Sequence, residues 1–145
     1  MRLGVAVAVL VWLVLLSVCD VRQRRLPNRL TLPGAGVILL AAACAGRGSP
    51  ALAGAAALTG VYLLVHLVAP AAMGAGDVKL AIGLGGLAGC FGFEVWFLAA
   101  LGAPLLTALV GLVARAVGGG CATTVPHGPS MCLATAAAAG LGLLG

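Results

Sequence analysis

The sequence predicts an all-α fold, a polytopic membrane bundle of about six transmembrane helices with N- and C-termini outside, and three observations carry that prediction. Hydrophobic residues make up 63% of the 145 residues and charged residues 8%, with a mean hydropathy of +1.23, against roughly 45 to 50% apolar usage in soluble domains. The apolar residues run continuously instead of alternating with polar ones, which excludes a membrane barrel and leaves helices as the spanning element. Arg22, Arg24, Arg25 and Arg29 crowd into one short connection, as expected of a cytoplasmic loop under the positive-inside bias. The net charge of +5 therefore speaks of orientation and lipid contact, and no nucleic-acid partner is expected. Residues 1–145 are read as one membrane-embedded domain of the cytoplasmic membrane.

The segments follow in order. Leu3 to Cys19 is an apolar run after a single positive charge. It has signal-peptide features, but the strong positive charge after it argues for retention as a span with its N-terminus outside. Asp20 to Pro33 forms the first cytoplasmic loop, where Pro27 interrupts any helix. Leu30 to Ala45 returns to the outside, and Gly46 to Pro50 makes a turn. Ala51 to Ala69 carries Thr59, Tyr62 and His66 back to the cytoplasmic side. Gly74 to Lys79 opens a fourth span, Val78 to Phe93, whose Gly83, Gly85, Gly86 and Gly89 let neighbouring backbones approach closely. Glu94 marks an outside turn, Val95 to Ala114 spans, Ala116 to Pro129 is a glycine- and proline-rich loop, and Ser130 to Gly145 is a short apolar run. Six basic residues then lie inside (Arg22, Arg24, Arg25, Arg29, Lys79, Arg115) against two outside (Arg2, Arg47).

That topology puts two of the three acidic residues, Asp20 and Asp77, on the cytoplasmic face and Glu94 on the other. An ionisable side chain at a helix centre costs about 2.5 to 3.5 kcal/mol on insertion scales and less near an end, so two on one face invite a functional reading. Taken singly, Asp77 reads as a helix N-cap and Asp20 as a solvated residue beside the membrane. Taken together, two close carboxylates share one proton and can activate a water for attack on a carbonyl. A small transporter or channel-like subunit is the alternative, with Asp20, Asp77 and Lys79 lining an ion path, but such a path places polar residues at several depths. Five cysteines without a C-x-x-C pair, and two histidines away from zinc spacing, predict neither metal nor disulfide framework. The mechanism calls for no cofactor.

Three segments then resemble one family, the prepilin peptidases, membrane aspartic proteases that share a glycine-aspartate motif with presenilins and signal peptide peptidases. Asp20-Val21-Arg22-Gln23-Arg24-Arg25-Leu26-Pro27-Asn28-Arg29-Leu30-Thr31 is similar to the family's first catalytic segment. Gly74-Ala75-Gly76-Asp77-Val78-Lys79-Leu80 is similar to the second, and Val125-Pro126-His127-Gly128-Pro129 resembles the Pro-x-Gly-Pro stretch before its last helix. The resemblance implies that Asp20 and Asp77 are catalytic. It also implies that the substrates are type IV pilin-like precursors cut at the cytoplasmic face, and that pilus or secretion assembly machinery stands nearby. The short loop after the first run, without paired cysteines, resembles the short tight-adherence pilus type, for which no methyltransferase activity is expected. Gly74, Gly76, Pro27 and Asn28 are expected to shape the site, the glycines by backbone geometry closed to other residues and by leaving room for an extended substrate. Lys79 either lowers the pair's pKa values or anchors lipid headgroups. The arginine cluster reads as topology and lipid contact ahead of substrate attraction, and His66 as an internal hydrogen-bonding residue.

Overall fold

The computed structural model describes residues 2–23, 28–71, 73–118 and 127–144. Six helices follow one another, as expected: α1 (Arg2–Gln23), α2 (Asn28–Cys44), α3 (Gly48–Val68), α4 (Ala75–Gly89), α5 (Phe93–Gly118) and α6 (Gly128–Leu144). Three stretches, Gly4–Gln23, Gly48–Val68 and Phe93–Val117, are long and apolar enough to cross a membrane, while α2 and α6 are shorter apolar helices. Large hydrophobic side chains such as Val14, Leu64, Leu105 and Leu112 point outward from the long helices, the side that lipid solvates.

The boundaries depart from expectation for identifiable reasons. The first helix does not stop at Cys19 but continues to Gln23, so Asp20 is helical rather than a loop residue. Nothing in Asp20–Gln23 breaks a helix, and Arg22 in the last turn suits the negative end of the helix dipole. The second helix starts at Asn28 and contains Pro33, which shortens the expected loop. A proline inside a membrane helix leaves the carbonyl four residues back, here Arg29 O, without its intrahelical donor and is tolerated where neighbours compensate; on the adjacent residue the Trp12 indole N–H donates to Leu30 O at 3.1 Å and ties α1 to this turn. In α3 the helix begins at Gly48, because Pro50 falls in the first turn, where its missing N–H has no intrahelical partner to lose. The fourth helix ends at Gly89 instead of Phe93. Gly92 takes φ +108°, left-handed geometry that ends a helix readily only at glycine. Glu94 accordingly lies in the first turn of α5, not in a turn, and Pro104 sits within that helix.

The shortest helix is central. α4 packs on α2, α3, α5 and α6, and Leu80, Ala81, Gly83, Leu84, Gly85, Gly86, Ala88 and Gly89 are all buried. Fifteen residues rise about 22 Å, short for a lipid-facing span, yet α4 meets other helices on most sides. Its glycines do what the sequence predicts. A Cβ on Gly85 would stand 2.5 Å from Gly54 O and one on Gly89 2.5 Å from Pro50 O, so α3 and α4 touch backbone to backbone. Gly34 of α2 and Gly83 of α4 make the slot that holds the Trp12 ring, and Trp96 of α5 donates to Gly54 O at 2.9 Å. Without a hydrophobic drive between helices in lipid, such close van der Waals packing and interhelical hydrogen bonding hold the bundle.

Candidate active site

Asp20 projects from the C-terminal end of α1 and is 7% exposed. A buried carboxylate needs donors, and one comes from far along the chain: the Gly128 N–H donates to Asp20 Oδ2 at 3.0 Å. The approach depends on glycine, since a Cβ at 128 would stand 2.6 Å from the same oxygen. Pro129 follows in the first turn of α6, a position that suits proline and leaves the Gly128 amide facing α1.

Asp77 lies in the first turn of α4, just ahead of the apolar residues that begin at Val78. It is not the N-cap that spacing suggests. Gly74 is the N-cap, and Asp77, three residues on, accepts the Gly74 N–H on Oδ2 at 3.2 Å while its own N–H donates to Gly74 O at 3.1 Å. This is the carboxylate half of a capping box, with the backbone serving where glycine has no side chain. His66 fixes the approach to that turn: its Nδ1 pairs with Met73 O at 2.8 Å, the internal hydrogen-bonding role expected of it. Burial is the main force on the Asp77 carboxyl and pushes it up to about 6, with the Gly74 N–H pulling down and the neighbouring Asp20 charge pushing up. The two aspartates thus feel one another, and Cys132 of α6 lies within electrostatic reach of both.

The expectation for the glycines is corrected. Gly74 has φ −77° and ψ 151°, extended geometry open to any residue, and Gly76 is helical; the positive-φ glycines among the described residues are Gly46 and Gly92. A Cβ at Gly74 would make only ordinary contact, with Asp77 Oδ2 at 3.5 Å. Lys79 does not pair with Asp77. Its Nζ donates to Asn28 Oδ1 at 3.0 Å, so two of the expected site-shaping residues meet and tie the start of α2 to α4. Pro27, with Arg24, Arg25 and the Val125-Pro126 part of the third motif, lies outside the described residues.

Around the carboxylates stand residues that spacing did not single out for the site. Tyr62 of α3 is within electrostatic reach of Asp77, and its ring lies 5.9 Å from that of His127, tilted by 40°. Burial pushes the pKa of the His127 ring down, with the Asp20 charge opposing it. His127 Nδ1 is 2.6 Å from Thr107 Oγ1 on α5. His127 and Gly128 had a signal, the third motif; Tyr62 and Thr107 had none, because their place depends on how α3 and α5 pack. No group of three or more His, Cys, Asp and Glu side chains arranged to hold a metal occurs among the described residues.

A buried carboxylate, Asp20, and a half-buried one, Asp77, stand on different helices, each given one backbone N–H, with the Asp20 charge felt at Asp77, and such a pair can activate a water. No match is found among curated proteins or solved structures. Residues 7–114, a stretch that holds both Asp20 and the Gly74 to Lys79 segment, match the type IV leader peptidase family. That match covers well over half of the chain, and the chain belongs to the type IV leader peptidase family, which makes it a membrane protease whose substrates are pilin precursors.

Proposed function

We propose that Asp20 and Asp77 are the catalytic pair of an aspartic endopeptidase that removes the leader of type IV pilin-like precursors at the cytoplasmic face of the cytoplasmic membrane. The observation that carries this reading is the electrostatic coupling of the two carboxylates, with Asp77 kept protonated to about pH 6 and Asp20 held by the Gly128 N–H. Asp20 takes a proton from the attacking water. Asp77 gives its proton to the scissile carbonyl oxygen as the water oxygen bonds to the carbon, forming a diol. Collapse of the diol breaks the C–N bond, with a proton passing to the leaving amine and one proton left on the pair.

The whole of residues 1–145 acts as one peptidase domain in this reading, with the site facing the cytoplasm where Arg22, Arg29 and Lys79 lie. The chain is of the short tight-adherence pilus type and performs no methylation. Gly74 and Gly76 leave room for the extended substrate, and the Lys79–Asn28 hydrogen bond keeps α2 against the Asp77 turn. Pro27 is a further candidate for shaping the site, and the products pass to pilus or secretion assembly machinery. Coexpression with a pilin precursor tests the pair: Asp20→Asn and Asp77→Asn should each abolish leader removal while the protein stays in the membrane. Full processing by either variant removes the mechanism.

A further inference from the structure

The Thr107 hydroxyl has one proton and two neighbours. It lies 3.0 Å from Ala103 O as a donor and 2.6 Å from His127 Nδ1. A carbonyl can only accept, so the hydroxyl proton goes to Ala103, the usual back-bond of a threonine in a helix. The Thr107 oxygen must then accept from His127, which puts the imidazole proton on Nδ1. Nε2 of the neutral ring is left as a bare acceptor, buried and without a partner among the described residues. An unmet buried acceptor is a net cost to the fold. Packing against Tyr62 alone would be served better by a phenyl ring, so the nitrogen on the other side, Nδ1, has to account for histidine at this place.

Residue 127 immediately precedes the amide that Asp20 uses. We infer that His127 is a positioning residue for the catalytic pair: its Nδ1–H, anchored on Thr107 of α5, fixes the turn into α6 so that the Gly128 N–H reaches Asp20. α5 thereby holds, through a side-chain contact, a donor for a carboxylate on α1. This inference rests on the reading of Asp20 and Asp77 as the catalytic pair and adds a residue that acts through Gly128.

Three single variants and one double variant test it by kcat and KM on a precursor peptide in detergent. Asn places its Nδ2 donor where His carries Nδ1, on the same Cγ, whereas Phe keeps the ring and loses the donor. Positioning predicts that His127→Asn stays within about threefold of the wild-type kcat, and that His127→Phe loses about tenfold or more at unchanged KM. Thr107→Val, which removes the acceptor, should match His127→Phe, and the double variant should lose little more than either, because both break one link. A packing role reverses the order, with Phe tolerated and Asn impaired, and that result overturns the inference. Should His127→Phe fail to accumulate in the membrane, Thr107→Val decides alone: a lowered kcat supports the link and an unchanged one overturns it. Processing by Asp20→Asn sinks the catalytic pair itself, whereas inactive aspartate variants beside a fully active His127→Phe sink only the positioning role.

Discussion

At the scale of single residues, the Gly128 contact makes a sharp demand. A methyl group at 128 would press on Asp20 Oδ2, so Gly128→Ala must either move the amide away or displace the carboxylate. We expect it to lower kcat about tenfold or more while the protein accumulates normally, since a misplacement of about 1 Å near reacting groups costs up to about 10²-fold. Wild-type kcat from Gly128→Ala would show that the hydrogen bond is dispensable. The pH profile follows from Asp77. Its carboxyl is pushed up to about 6, mostly by burial, so the proton needed to polarise the carbonyl is present below that value and lost above it. The kcat/KM profile should fall on the alkaline side with a midpoint near pH 6, and a flat profile from about pH 5 to about pH 9 would contradict this assignment. Asp20, Asp77 and the glycine-rich turn with Lys79 could be named as candidates from residue order, and Asn28 from the family resemblance. The partners of these residues were not legible: a histidine next to a glycine carries no trace of a threonine twenty positions back.

At the scale of helices, the site rests on how closely α4 is held. Gly54, Gly85 and Gly89 bring α3 and α4 into backbone contact, and His66 ties the end of α3 to the turn that presents Asp77. Gly85→Val should separate the two helices, costing about 1 to 3 kcal/mol of stability and showing as a lower Tm in detergent. Gly60, on the same α3 but with nothing near its Cβ position, should accept alanine with no loss and a gain of up to about 1 kcal/mol. Equal damage from both substitutions would show that close approach is not what these glycines serve. The glycine-rich pattern signalled this packing from sequence, because membrane helices reserve small residues for contacts. Helix ends were harder. Asp20 falls inside a helix and Asn28 to Pro33 is helical, since helix propensity and a neighbour's hydrogen bond outweigh the loop signals of proline and charge.

At the scale of the whole molecule, six helices were legible in composition and apolar runs, while the central place of α4 was not. Its run looks like any other span, and nothing in a single run says how many neighbours will surround it. Orientation follows from the same charges in the proposed reading. Asn28 lies beside Lys79 at the site end of α2, and Cys44 ends that helix at the far side, exposed. In variants retaining one cysteine each, an impermeant thiol reagent applied outside the cell should label Cys44 and spare Cys121, and the opposite pattern would invert the molecule in the membrane.

The bond between Gly128 and Asp20 spans 108 positions, and that separation sets a timetable. A ribosome adding about 5 to 20 residues per second takes roughly 5 to 22 seconds to move from one partner to the other. Until the segment beginning at His127 emerges and α6 inserts, Asp20 lacks this amide. A nascent chain therefore carries both carboxylates before it carries the contact that orders the first of them, so in the proposed reading proteolytic competence arrives with α6 and not with Asp77.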